Sequence, residues 1–125
     1  MKSGYTLEAF QTRVIDAGIA AARADYFGDG PLQTAKREGS VEGFEACRLK
    51  TPAELALLLR AAEERVEESF LELPAAYWRV RARALEIRWV CNCVSAVLMN
   101  EGRPTILAPT MRAVLWAAEI LGVGV

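Results

Sequence analysis

The sequence predicts an all-α fold: one helical domain over residues 1–125, built from four main helices and one short one around a long central helix at about 75–100. Three observations carry this. Apolar residues recur in steps of three and four along most of the chain, as one face of a helix requires. Helix punctuation is plain at Thr51-Pro52-Ala53-Glu54 and at the Pro74…Gly102 pair. No alternation with a period of two runs long enough for a strand, Thr105 to Leu107 being the one weak stretch.

Taken in order, Thr6 is placed to cap a first helix from about Leu7 to Tyr26, with Leu7, Phe10, Val14, Gly18 and Ala21 at helical spacing. Its small residues, Ala17, Gly18 and Ala21 among them, permit close approach of another helix. Residues 27–39, rich in glycine and polar side chains, read as the one long loop. A short helix from Val41 to Arg48, capped by Ser40, would bury Phe44 and Cys47. Thr51 then caps a helix with Pro52 at its first position and Glu54 reaching back. Behind that cap runs the stripe Leu55, Leu58, Leu59, Ala62, Val66, Phe70 and Leu73. Pro74 ends this helix and starts the next, so the two form a hairpin. The long helix changes character midway: Arg79, Arg81, Arg83 and Arg88 crowd its first part, whereas Trp89 to Met99 keeps only Asn92 and Ser95 as polar side chains. A helix apolar all round must be enclosed by others, which makes this segment the centre of the bundle. The last helix runs from near Pro109 to Leu121 with Gly122 at its stop, and Met111, Val114, Leu115 and Ala118 are its expected inner face.

Composition narrows the function classes. The longest uncharged apolar run, Trp89 to Asn100, falls well short of the roughly 20 residues that span a bilayer. No signal peptide is read, and a soluble cytoplasmic domain is expected. The 53% hydrophobic content is high for such a domain and points to a helix face covered by a partner or a second copy. Net charge is −1 at pH 7, so no bulk field draws in nucleic acid or an anionic membrane. Histidine is absent, which removes the usual general base and the commonest metal ligand. Cys47, Cys91 and Cys93 are an odd set, and reduced thiols are expected.

Each constellation has a plain structural reading beside the functional one. The arginines, interleaved with Tyr77, Trp78 and Trp89, could meet phosphates and stack bases. The preceding helix, however, carries Glu63, Glu64, Glu67, Glu68 and Glu72, and a hairpin about Pro74 would set Arg79 near Glu68 and Arg83 near Glu64 or Glu67. Charge pairing within the chain is the favoured reading. Cys91 and Cys93 point about 200° apart on a helix and cannot share a metal, so both read as small buried hydrophobes and no metal is expected. A calcium loop counted from Asp25 fails because its twelfth position is Lys36. Ser95 and the cysteines lack a base to activate them, and no cofactor is expected. Asn92 should hydrogen-bond across the core or a dimer axis. Tyr77, Arg79, Arg83 and Glu86 are the one set that could line a polar pocket: arginine would hold an anion while Glu86 orients it or moves a proton. Trp116, with Ile120, Leu121, Val123 and Val125 behind it, would suit an interface, together with Ala17, Gly18 and Ala21 on the first helix.

The stretches VEGFEACR, EIRWVCNCVSAVLMNEG and PTILAPTMRAV look like those of small uncharacterised proteins carried by phages, prophages and mobile elements of GC-rich bacteria. The resemblance covers most of the chain and implies no activity or site residues. It implies action by binding a host or phage component. The expected function is thus a non-enzymatic interaction protein that binds itself or one protein partner. Nucleic-acid binding through the arginines is the disfavoured alternative, and a small enzyme or anionic-ligand binder the second.

Overall fold

The computed structural model describes residues 6–122. Five helices follow one another: α1 (Leu7–Asp25), α2 (Pro31–Ala46), α3 (Pro52–Glu68), α4 (Pro74–Asn100) and α5 (Met111–Leu121), with a 3-10 turn at Ser69–Leu71 between α3 and α4. Among the described residues there is no strand, and no helix is long and apolar enough to cross a membrane.

α4 is the axis of the bundle and packs on all four other helices, most extensively on α2 and then on α3. Val90 to Leu98 is buried without a break, the direct result of an apolar sequence on every side of the helix. Around it gather Phe10, Val14 and Ile15 of α1, Phe44 of α2, Leu55 and Leu59 of α3, and Ala113 and Ala117 of α5.

Local signals in the sequence account for most helix ends. The Thr6 hydroxyl accepts from the Ala9 N–H at 3.1 Å. Thr51 and Glu54 form a reciprocal capping box, with Glu54 N–H donating to Thr51 Oγ1 at 3.2 Å and Thr51 N–H to Glu54 Oε1 at 2.9 Å. Thr110 caps α5 by accepting from the Ala113 N–H at 3.2 Å, and Gly122 closes it in the left-handed conformation with φ 70°.

The expected loop over residues 27–39 is instead only residues 27–30, and α2 begins at Pro31, runs through Ser40 and ends at Ala46. Its glycines mark a close helix crossing and not a loop. Ala35, Gly39 and Gly43 are spaced four apart and buried on one side of α2, facing α4. Without side chains there, the two backbones approach until Gly39 lies over Arg79 and Ala82, and Gly43 over Arg83 and Glu86. Both indices rise together, so α2 runs parallel to the arginine-rich half of α4. Arg37 fastens the short α1–α2 turn, donating to the carbonyls of Tyr26 at 2.6 Å and Gly28 at 3.0 Å.

Two further expectations need correction. The α3 stripe is core at Leu55, Leu59 and Ala62 and partly buried at Leu58 and Val66, but Phe70 and Leu73 stand outside it. α5 is also turned from the expected face: Ala113 and Ala117 are buried, while Met111 and Leu115 face outward. Its sequence is apolar nearly all round, so the stripe alone did not choose, and the two alanines that permit the closest approach did. Thr105 to Leu107 is irregular chain, not strand. It is held by Ser95, whose hydroxyl accepts from the N–H groups of Ile106 at 3.1 Å and Leu107 at 3.3 Å.

Candidate functional site

The arginine cluster is distributed around α4. Arg79 binds Glu42 and lies 3.4 Å from Glu38, both on α2, in place of the expected Glu68. Arg88 pairs with Glu63 of α3 at 3.0 Å, and Arg65 with Glu72 at 2.7 Å. Arg81 lies over the Trp78 ring at 4.8 Å, and Lys36 lies 4.7 Å from the same ring. Arg83 runs under α2, its backbone against Gly43. Exposed ion pairs of this kind contribute only about 0–1 kcal/mol each, yet they cancel much of the basic charge that a nucleic-acid surface would need.

The four residues expected to line a polar pocket share one edge of α4 only in part. Tyr77 belongs to an aromatic row at the start of the helix, its ring centroid 6.4 Å from Phe70 and 5.6 Å from Trp78. Arg79 and Arg83 follow the α2 seam. Glu86 alone reaches a concave surface, a groove of about 450 Å³ between α1, α4 and α5. Ala17 and Ala21 form its α1 wall, Trp89 and Trp116 the opposite side, and Tyr26 and Asp25 one end. Two sets that the sequence kept apart thus meet here: Glu86 from the polar set, and Ala17, Gly18, Ala21 and Trp116 from the interface set. Gly18 is buried, its Cα side filled by the Phe44 ring. Ile120 and Leu121 are half-buried against the core. Val123 and Val125 lie outside the described residues.

Glu86 sits half-buried at the boundary between the groove and a smaller hollow of about 140 Å³ lined by Lys36, Ser40, Trp78 and Arg81. Burial pushes its carboxyl above the ordinary range, the Ser40 hydroxyl opposes that shift and Asp25 adds to it. No ion pair reaches Glu86 among the described residues. Trp89 and Trp116 lie with centroids 5.5 Å apart and planes tilted by 52°, and the Arg112 guanidinium stands 5.5 Å from the Trp89 ring.

The apolar half of α4 holds the other polar groups for structural ends. Asn92 Nδ2 donates to the Arg88 carbonyl at 3.1 Å, and its Oδ1 accepts from the Thr110 N–H at 3.1 Å, which pins the start of α5. The three thiols are reduced and buried, and burial pushes each up to about 12. Such thiols are almost wholly protonated at neutral pH and are poor nucleophiles. Among the described residues no three His, Cys, Asp or Glu side chains gather as a metal site requires.

A second surface went unread in the sequence. Phe70, Leu71 and Leu73, in the turn between α3 and α4, are 75%, 92% and 79% exposed. The signal was available: ESFLEL places apolar residues at positions too close together for one helix face, so some had to point outward. No family model matches this chain, nor does any curated protein or solved structure.

Proposed function

We propose that this protein is a non-enzymatic helical interaction module that binds another protein chain, foremost a second copy of itself, through the apolar knuckle at Phe70–Leu73. The observation that carries the reading is the exposure of three large apolar side chains within four residues. Isolated exposed leucines are ordinary, but a contiguous cluster at a turn marks a contact surface. Its charged surroundings favour self-association. On the α3 flank, Glu67 and Glu68 form no ion pair among the described residues, while on the other side Lys36 of α2 and Arg81 of α4 have only Trp78. A two-fold contact sets each flank of one copy against the opposite flank of the other, so surplus acid meets surplus base. A stable interface covers about 800 Å² per partner, which makes the knuckle the centre of the contact and this charged rim its edge. The resemblance to small phage and mobile-element proteins supports the form in which a host or phage protein takes the place of the second copy.

Light scattering with size-exclusion chromatography at tens of micromolar tests the reading. The wild type is expected to run as a dimer and the Leu71→Asp/Leu73→Asp variant as a monomer with unchanged circular dichroism. A wild type that stays monomeric at every concentration removes self-association.

A further inference from the structure

The groove between α1, α4 and α5 combines features that neither core packing nor the knuckle requires. Glu86, a carboxylate with no ion pair among the described residues, stands in a cleft lined mainly by aromatic and small apolar side chains, with Arg112 and Asp25 as its other charged members, and Asp25 pushes the carboxyl in the same direction as burial does. Two indoles form a tilted pair beside it. We propose that this groove binds an organic monocation with an apolar stem, an alkylammonium group whose charge faces Glu86 and whose carbon chain lies along the wall formed by Trp89 and Trp116.

Several observations support that class of ligand over others. The Trp89 face already holds a cation from within the chain, Arg112, so it is presented in the way that ring–cation attraction uses. Arg112 stands on the exposed side of α5 with no carboxylate partner among the described residues, so an incoming cation displaces an ordinary exposed contact. An anion would meet two carboxylates, Glu86 and Asp25, against the single Arg112 of the lining, and a neutral ligand would bury Glu86 further without compensating it. The volume of about 450 Å³ fits a small ligand or one long side chain. Lys36 and Arg81 bound the site beyond Glu86, so a second positive charge on the ligand is disfavoured and a monocation is selected.

Isothermal titration with hexylammonium, hexanol and hexanoate, followed in parallel by the indole N–H signals of the protein, tests the assignment. Hexylammonium is expected to bind and to shift the Trp89 and Trp116 signals while leaving Trp78 in place; hexanol and hexanoate are expected not to compete. Glu86→Gln should weaken binding by at least about tenfold, the scale of a lost charge-assisted contact. Arg112→Ala should strengthen it, because the internal competitor is gone. A further arm with acetyl-lysine-amide distinguishes a free amine from a lysine side chain of a protein, and tighter binding of either supports the same chemistry. Equal binding by Glu86→Gln, competition by hexanol, or no heat and no indole shift at millimolar hexylammonium overturns the proposal. Weaker binding by Arg112→Ala overturns it as well, since Arg112 would then be holding the ligand.

Discussion

A methyl group added at Gly39 would meet the Arg79 carbonyl carbon at 2.9 Å and the Ala82 Cβ at 3.0 Å, and one added at Gly43 would meet the Glu86 Cβ at 3.0 Å. Helix propensity alone favours alanine over glycine by roughly 1 kcal/mol, but here the obstruction is backbone and cannot swing aside. Gly39→Ala is therefore expected to destabilise the fold by about 1–3 kcal/mol, measured by urea denaturation; a gain in stability would mean that α2 does not press on α4. Glu86 gives a second expectation. Its folded carboxyl titrates above its value in the unfolded chain, so stability linked to it is present below the unfolded pKa and is lost as pH rises through the folded one. Glu45 and Glu54, whose carboxylates are held low by Arg48 and by the Thr51 N–H, act in the opposite sense, so the comparison is made against wild type at each pH. Glu86→Gln should raise the melting temperature at neutral pH and lose that advantage in acid. A constant difference across the pH range would contradict the assignment. At this scale the sequence was informative about Cys91, Cys93 and Asn92, because an apolar helix leaves such residues no place but the interior. It was silent about Gly39 and Gly43, since glycine marks a loop and a close helix crossing alike. Only their four-residue spacing separates the two.

Among the elements, α1, α3, α4 and α5 were legible through their caps, and the first half of α2 was not. That single omission explains the misplaced charge pairs. Glu38 lies in the unexpected first half of α2 and Glu42 in the expected second half, so only the full helix sets the two acids four apart on one face toward Arg79. The rotation of α5 was equally hidden, because its docking is set by side chains on another element. Asn92 and Ser95 hold the chain from Ile106 to Thr110, so Asn92→Ala should cost about 1–3 kcal/mol. Hydrogen exchange should then quicken first over residues 106–121. Uniform acceleration along the chain would show that α5 does not open separately. For α3, Leu55→Ala should cost about 2–5 kcal/mol as a buried cavity. Phe70→Ala, beyond the end of the stripe, should stay within about 0.5 kcal/mol when measured at a dilution where the protein is monomeric. Similar losses at both positions would place the knuckle in the core.

For the whole molecule, two surfaces of different character lie on one small bundle, the exposed knuckle and the aromatic groove. Association through the knuckle couples stability to concentration, so the melting temperature should climb as protein concentration rises and should stop doing so in Leu71→Asp/Leu73→Asp. Flat melting temperatures for both proteins would count against the dimer. Part of the groove was legible as separate fragments: Trp116 and the small residues of the first helix drew notice, as did Glu86. Their convergence was not, because it depends on how α1 and α5 flank α4, which no local pattern encodes. The enclosed thiols have a practical bearing on all of these measurements. Cys47, Cys91 and Cys93 are each 0% exposed, on α4 and at the end of α2. A chromogenic thiol reagent added to the native protein therefore labels only molecules whose interior has opened, and the labelling rate becomes a clock for that opening. Run slowly against fast reclosing, the clock reads an equilibrium; run against slow reclosing, it reads the unfolding rate itself. The chain thus carries an internal gauge of its own persistence, one that works on the purified protein without denaturant.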